Sequence, residues 1–416
     1  MKVLISAYSC EPGRGSEPGV GWNIAREIAK HHEVWVLTRP DESGEVIKAE
    51  LTRNPVPNLH FVYFTLPVWG SGWRWGSNGA MQIHYYLWQI QAYFVARRLH
   101  REIGFDLIHH VTFVKYSSPS FLSLLPVPFI WGPVGGGESA PIAFWKDFSF
   151  RARLYETARY LVRWIGEHDP FVYLTAQKSV LVRATTWDTA KQLYKLGVTD
   201  VQILPESGLP AEEIQRLADY QMPETEPVRF ISMGRLLHWK GFHLGVRAFA
   251  KANLPDAEYW IVGDGPEWQR LHTLAEELGI AHQVKFWGRL PREKTLQKLG
   301  ECHGLLHPSL HDSGGWVCME AMAAGRPVIC LDLGGPAVQV TQETGFKIQA
   351  HHPDQAVGDL AKAMVRLAED SELRKSMGQA GQTLMSQHHS WQIKGERLAQ
   401  VYQAIAADKG LVQCVS

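Results

Sequence analysis

Two stretches in the second half of the chain place cations, carboxylates and glycines where phosphate chemistry would need them. The first is Gly234-Arg235-Leu236, with Lys240-Gly241 just beyond, between a predicted strand at Arg229–Met233 and a predicted helix at Phe242–Ala252. A departing diphosphate gains negative charge, and fixed cations with helix N-terminal amides stabilise that charge. Arg235 offers a planar fork and Lys240 a compact charge. A solvated pair beside a turn would use the same residues, so this motif does not decide alone. The second runs from His307 to Pro327, where a strand enters the turn Asp312-Ser313-Gly314-Gly315 and then a helix from Trp316. Glycines admit a ligand close to the backbone. Amides at a helix start, here at Trp316 and Val317, can face a phosphate or sugar oxygen. A carboxylate, with two acceptor oxygens, suits a vicinal diol. The spacing of Asp312 and Glu320 is uninformative by itself, since 42 acids in 416 residues give about four such pairs by chance. The setting of Glu320 among Cys318, Met319, Ala321 and Met322 carries more weight, because an unpartnered carboxylate is rarely placed among apolar neighbours.

With Val262-Gly263-Asp264-Gly265-Pro266, Phe286-Trp287-Gly288, Pro308-Ser309 and Ser390-Trp391, these stretches resemble the retaining family 4 glycosyltransferases of the GT-B fold. The match covers nearly all of the second domain. The resemblance implies that Arg235 and Lys240 bind the diphosphate of a nucleotide-sugar donor. It implies that Asp312 contacts the donor sugar, in a place where the family usually has Glu, and that Glu320 holds the ribose hydroxyls. Gly314, Gly315, Trp316 and Val317 correspond to the loop that meets donor sugar and phosphate, and Gly288 and Arg289 to the segment beside the base.

The first half carries weaker signals. The loop Gly13–Gly21 does not fit G-x-G-x-x-G, which argues against a dinucleotide site. The resemblance sets it near diphosphate and acceptor, with Gly19 on the donor side and Gly15, Ser16 and Glu17 on the acceptor side. His110, with adjacent His109 as the alternative, ends a strand and corresponds to a histidine that touches the donor sugar. The family separates two such histidines by one residue; here they adjoin. Gly136 and Glu138, in the glycine run after Phe129–Trp131, fall on the acceptor side. Arg14, Lys115 and Arg183 are candidate cations for an acceptor phosphate, and no spacing selects among them. Trp69, Trp73 and Trp75 could stack on sugars or lie at a membrane surface, although ordinary packing also accounts for them. Phe150, Leu154, Ala158, Leu161, Val162 and Ile165 form a helical stripe, with Arg151, Arg153, Arg159 and Arg163 off it; this could meet anionic lipid, but a solvated basic face is the preferred reading.

The elements that would position these residues alternate strand and helix, which implies parallel sheets covered on both faces. A change of texture, with Pro205, Pro210, Pro223 and Pro227 among polar residues, divides two such series. The predicted architecture is α/β: two doubly wound Rossmann-like domains facing across a cleft, with a C-terminal helix crossing back to the first. Boundaries are expected at 1–205 for an acceptor-side domain, 206–227 for a linker in which Glu212–Tyr220 could form a short helix, 228–388 for a nucleotide-sugar domain, and 389–416 for the closing helix and tail. Ligands in such sheets gather at the carboxyl ends of the strands.

Lys and Arg total 42, as do Asp and Glu, so the net charge is +0 and no broad field for nucleic acid exists. Five cysteines without a CxxC pair argue against zinc and against a disulfide framework, and fit a reducing, cytoplasmic setting. The apolar run at Val3–Ala7 is too short for a signal peptide and no stretch would span a bilayer, which leaves peripheral contact with a membrane's inner face open. The expected activity is transfer of a hexose from a nucleoside diphosphate sugar, UDP-glucose first, to a saccharide or lipid-linked acceptor. A sucrose-phosphate-synthase-like enzyme using fructose 6-phosphate and a non-catalytic nucleotide-sugar binder are the alternatives. No cofactor or metal is expected, and the oligomeric state is open.

Overall fold

The computed structural model describes residues 1–40, 42–66, 78–205, 207–224 and 227–413, with side chains undescribed at 42, 78–80 and 408–413. Trp69, Trp73, Trp75 and Cys414 lie outside the described residues. The strands are β1 (Lys2–Ala7), β2 (Glu33–Thr38), β3 (Leu59–Tyr63), β4 (Leu107–Thr112), β5 (Phe129–Val134), β6 (Ser179–Ala184), β7 (Val201–Ile203), β8 (Val228–Met233), β9 (Ala257–Val262), β10 (Val284–Gly288), β11 (Gly304–His307), β12 (Val328–Leu331) and β13 (Gly345–Ile348). The helices are α1 (Ser16–Ile28), α2 (Glu42–Arg53), α3 (Asn78–Ile103), α4 (Phe150–Glu167), α5 (Pro170–Lys178), α6 (Trp187–Lys195), α7 (Ala211–Ala218), α8 (Phe242–Ala252), α9 (Trp268–Glu277), α10 (Arg292–Gly300), α11 (Trp316–Ala323), α12 (Gly334–Gln339), α13 (Pro353–Glu369), α14 (Ser371–His388) and α15 (Trp391–Gln413).

Two compact units result, each built on one parallel sheet. The first holds Met1–Gly137, Arg159–Glu206 and Trp391–Ser416, with strand order β3-β2-β1-β4-β5-β6-β7. Its central strands are buried on both faces, which is why Val3-Leu4-Ile5 and Leu107-Ile108 read as continuous apolar runs. Order reverses between β1 and β4. The closing helix α15 packs on α1, where a side chain at Gly395 would collide with Glu27.

The second unit holds Glu138–Ala158 and Ser207–Ser390, with strand order β10-β9-β8-β11-β12-β13. Order reverses between β8 and β11. Two differences from the sequence-based boundaries stand out. The segment Glu138–Ala158, expected within the first domain, belongs to the second unit. It contains no strand, and its Phe144, Phe148 and Ala152 are buried in the same apolar cluster as Phe242 and Phe249. Asp147 fixes it further, accepting from Arg247 at 3.2 Å. The expected linker 206–227 is not a free connector either. Its helix α7 buries Ile214 and Leu217 against α11 and α14.

Candidate functional site

Within the second unit the loops after β8 and β11 flank the point where strand order reverses, the usual ligand site of an open α/β sheet. The sequence positions Lys240 and Asp312, 72 residues apart, meet there: Lys240 Nζ donates to Asp312 Oδ2 at 2.5 Å. His307 Nε2 lies 3.2 Å from the same oxygen, and the Gly315 amide donates to Asp312 Oδ1 at 3.2 Å. Burial pushes the Asp312 carboxyl up, but Lys240 and His307 outweigh it and hold the group far below the usual carboxylate range. Asp312 is therefore ionised at neutral pH.

Backbone geometry makes this meeting possible. Gly241 has φ +67, and a Cβ there would strike the Pro308 carbonyl, so only glycine lets the two loops close on each other. Gly315 caps α11 at φ +54. The Gly314 carbonyl is held by Ser207 and, at 2.6 Å, by Gln339. The half-buried Trp316 and Val317 then open α11, where early amides lack intrahelical partners.

The neighbouring strand ends complete the rim. Gly234 and Leu236 donate to Val262 and Asp264, and Gly263 donates to Gly288. This stacks the loops after β8, β9 and β10. Arg235 and Arg289 are both exposed, and their guanidinium groups make no hydrogen bond or ion pair among the described residues. They are uncommitted cations on that rim.

Glu320 is buried on α11 and is held by a residue the sequence reading did not single out. Arg292, at the start of α10, donates through Nη1 to Glu320 Oε1 and through Nη2 to Glu213 Oε1, the latter at 2.6 Å. Burial raises the Glu320 carboxyl, and Arg292 opposes that rise. Only Oε1 of Glu320 is engaged. Pro291-Arg292 at a helix start is an ordinary surface pattern, so nothing in the sequence pointed to this bridge. A second missed link involves Glu156 on α4. It is buried, 3.0 Å from His238 and 3.6 Å from His311, and so ties the Glu138–Ala158 segment to the loops after β8 and β11.

In the first unit, Glu17, Lys115 and Gly136 come together where β1 and β4 diverge. Glu17 accepts the Phe113 amide at 2.7 Å, Lys115 pairs with Gly135 in a β-bridge, and a Cβ on Gly136 would touch Lys115. Burial lowers the Lys115 ammonium to about 8, against the opposing charge of Glu17. Gly15 and Ser16 are exposed at the start of α1, Ser16 with φ +63. The space left by Gly19 is filled by the Arg14 carbonyl of its own loop. Arg14 itself pairs with Glu11 at 3.0 Å. Glu138 is buried and counts with the second unit.

His110 and His109 point to opposite faces of β4, as alternation requires. His110 Nε2 lies 3.1 Å from the Tyr85 hydroxyl and 3.2 Å from the Gln89 amide nitrogen, inside the core under α3. His109 donates through Nε2 to the Gly132 carbonyl and accepts at Nδ1 from Tyr402 at 2.5 Å. Both are 1% exposed, and burial lowers each to about 3, so both are neutral at pH 7. Arg183 does not join Lys115. It lines a cavity under α15 with His109, Ile24, Trp391 and Leu398, and makes no hydrogen bond among the described residues.

Residues 217–384, which cover the sheet and loops of the second unit, match the family model "Glycosyl transferases group 1". This stretch of the second unit is similar to the group 1 glycosyl transferases. The lipopolysaccharide core biosynthesis glycosyltransferase LpsD of Rhizobium meliloti is 32% identical over 199 residues, 47% of this chain and 55% of that protein. The GDP-mannose-dependent monoacylated alpha-(1-6)-phosphatidylinositol monomannoside mannosyltransferase of Corynebacterium glutamicum is 29% identical over 250 residues, 58% of each. The match thus spans little more than half the length of these relatives. Among solved structures, sucrose-phosphate synthase from Thermosynechococcus elongatus matches with a TM-score of 0.67 at 18% identity, covering 98% of this chain and 99% of that one. That likeness extends the GT-B fold over both units.

Proposed function

We propose that the chain is a retaining glycosyltransferase that moves a hexose from a nucleoside diphosphate sugar, with UDP-glucose as donor, to a saccharide or lipid-linked acceptor. The observation that carries this reading is the Lys240–Asp312 pair at the strand-order reversal of a unit similar to the group 1 glycosyl transferases. An ammonium has three N–H donors, and Asp312 uses one. The other two are available to the diphosphate, with Arg235 as a second cation. The anomeric C–O bond to phosphate breaks and its electron pair leaves with the diphosphate. The acceptor oxygen bonds the anomeric carbon from the same face, and its proton passes to the departing phosphate oxygen. Ionised Asp312 accepts from a donor-sugar hydroxyl, and Glu320 Oε2 accepts from the ribose. The protein's contribution is orientation and charge stabilisation.

A GDP-mannose donor is the second reading, favoured by the named donor of the Corynebacterium relative. A thermal-shift screen of UDP-glucose, GDP-mannose and the free diphosphates distinguishes them, because a ligand raises the melting point by mass action. The preferred donor then enters product analysis with saccharide acceptors and with fructose 6-phosphate. Lys240→Ala should abolish the shift and the turnover while circular dichroism stays native. No shift with any nucleotide would refute the proposal. A shift without hydrolysis or transfer would leave a nucleotide-sugar binder instead.

A further inference from the structure

The helix α4 inverts its sequence-based reading. The sequence favoured arginines in water on a solvated basic face over a stripe that meets anionic lipid. In the structure Ala152 and Glu156 are the buried positions, and a side chain on Gly166 would collide with the Ser117 carbonyl. Arg159 and Arg163 are half-buried near Lys115, whose charged form they disfavour. The opposite side carries Phe150, Leu154, Leu161 and Ile165, which share one helical face and are 81%, 60%, 57% and 58% exposed. Val162 and Trp164 widen this strip and are also more than half exposed. Single exposed apolar residues are common on soluble proteins, but a continuous strip along an 18-residue helix marks an interaction surface.

The flanking charges select the occupant. Arg151 and Arg153 border the strip on either side and are exposed. Arg151 has no partner among the described residues, and Arg153 donates only to the neutral carbonyls of Phe148 and Lys146, so neither charge is neutralised. The acids of the helix are withdrawn: Glu156 is buried beside His238, and Glu167 accepts from Tyr116 at 2.6 Å. A symmetric dimer through this face would set arginine against arginine with no exposed carboxylate of the helix to relieve them. An apolar face with Trp164 and Tyr160 beside it and bare arginines at its edges matches an anionic lipid surface. No helix among the described residues is long and apolar enough to cross a membrane, so contact through α4 would be in the plane of the interface.

We propose that α4 is a membrane-docking helix that lays Phe150, Leu154, Leu161 and Ile165 into the headgroup region of an anionic bilayer, with Arg151 and Arg153 on lipid phosphates. The exposed strip lies on the side of α4 opposite Glu156, which contacts His238 and His311, and the inference does not rest on the transfer reaction. The test is co-sedimentation of the full chain with phosphatidylcholine vesicles, with and without phosphatidylglycerol. The chain should bind the phosphatidylglycerol vesicles, more weakly at high salt. The double substitution Leu161→Glu/Ile165→Glu should weaken binding at least about tenfold, and Arg151→Glu should lower it and flatten its salt dependence. Both changes are at exposed positions and should leave the melting temperature and any nucleotide-induced thermal shift intact; Leu161→Ser/Ile165→Ser serves if the charged pair does not fold. Absence of vesicle binding, or binding indifferent to these substitutions, overturns the proposal even if the nucleotide shift stands. Self-association in sedimentation velocity that the same substitutions abolish, without vesicle binding, overturns it in favour of a dimer face.

Discussion

Four buried histidines should make the chain lose stability in mild acid, well above the pH where carboxylates titrate. His109, His110 and His243 are lowered to about 3 and His303 to about 4, in each case first by burial. None is more than 3% exposed. In the unfolded chain each returns to about 6.5. Between the folded and unfolded values the unfolded state binds more protons, so stability rises with pH and is lost as pH falls below about 6.5. From pH 7.0 to 5.5 each histidine removes about 1.2 kcal/mol, or about 5 kcal/mol for four, against a total stability of 5–15 kcal/mol for a typical domain. The loss divides evenly, since His109 and His110 lie in the first unit and His243 and His303 in the second. Urea unfolding at the two pH values, followed by circular dichroism, measures it. His110→Gln should reduce the pH-dependent loss by about a quarter whatever it does to stability at pH 7. A flat profile over this window would show that these imidazoles are charged or solvated in the folded chain. The burial argument, and the description of His110 as a core residue, would then be wrong.

Two further outcomes test the proposed donor site. Asp312→Asn keeps the shape but removes the charge that Lys240 and His307 stabilise; on the proposed reaction it should lower turnover by about a hundredfold, with a smaller change in the nucleotide-induced thermal shift. Arg292→Met leaves Glu320 buried without its cation and should cost about 2 kcal/mol in urea unfolding, partly restored by Arg292→Lys; an unchanged midpoint would mean that the bridge to Glu213 and Glu320 contributes nothing.

The parallel sheets and the glycine turns after β8 and β11 were legible because their signals are local. A buried parallel strand reads as a short apolar run, and a glycine turn before a helix announces where a ligand can approach. The meeting of Lys240 with Asp312 was not foreseen, although in a sheet of this strand order the loops after the first and fourth strands flank the reversal point. What stayed hidden depended on partners distant in sequence. Nothing within Glu138–Ala158 tells that Phe144 and Phe148 pack beside Phe242, so the boundary near 205 missed the excursion. The stripe on α4 was visible, but periodicity gives only the angle between faces, not which one meets the protein. Here Glu156 decides, because its contacts with His238 and His311 turn the apolar side outward.

The same reasoning gives meaning to Asp312, where the resemblance leads one to expect glutamate. A carboxylate one methylene shorter can still reach Lys240, His307 and the Gly315 amide together, and those three contacts use both of its oxygens. The anion is thus anchored to the loop after β8 as well as to its own loop. On the proposed reaction a diphosphate would not have to break this pair to recruit Lys240, because the ammonium keeps two donors and Arg235 keeps all of its own. The incoming anion would meet a lysine already held in place, with part of its ordering cost met by folding rather than by binding.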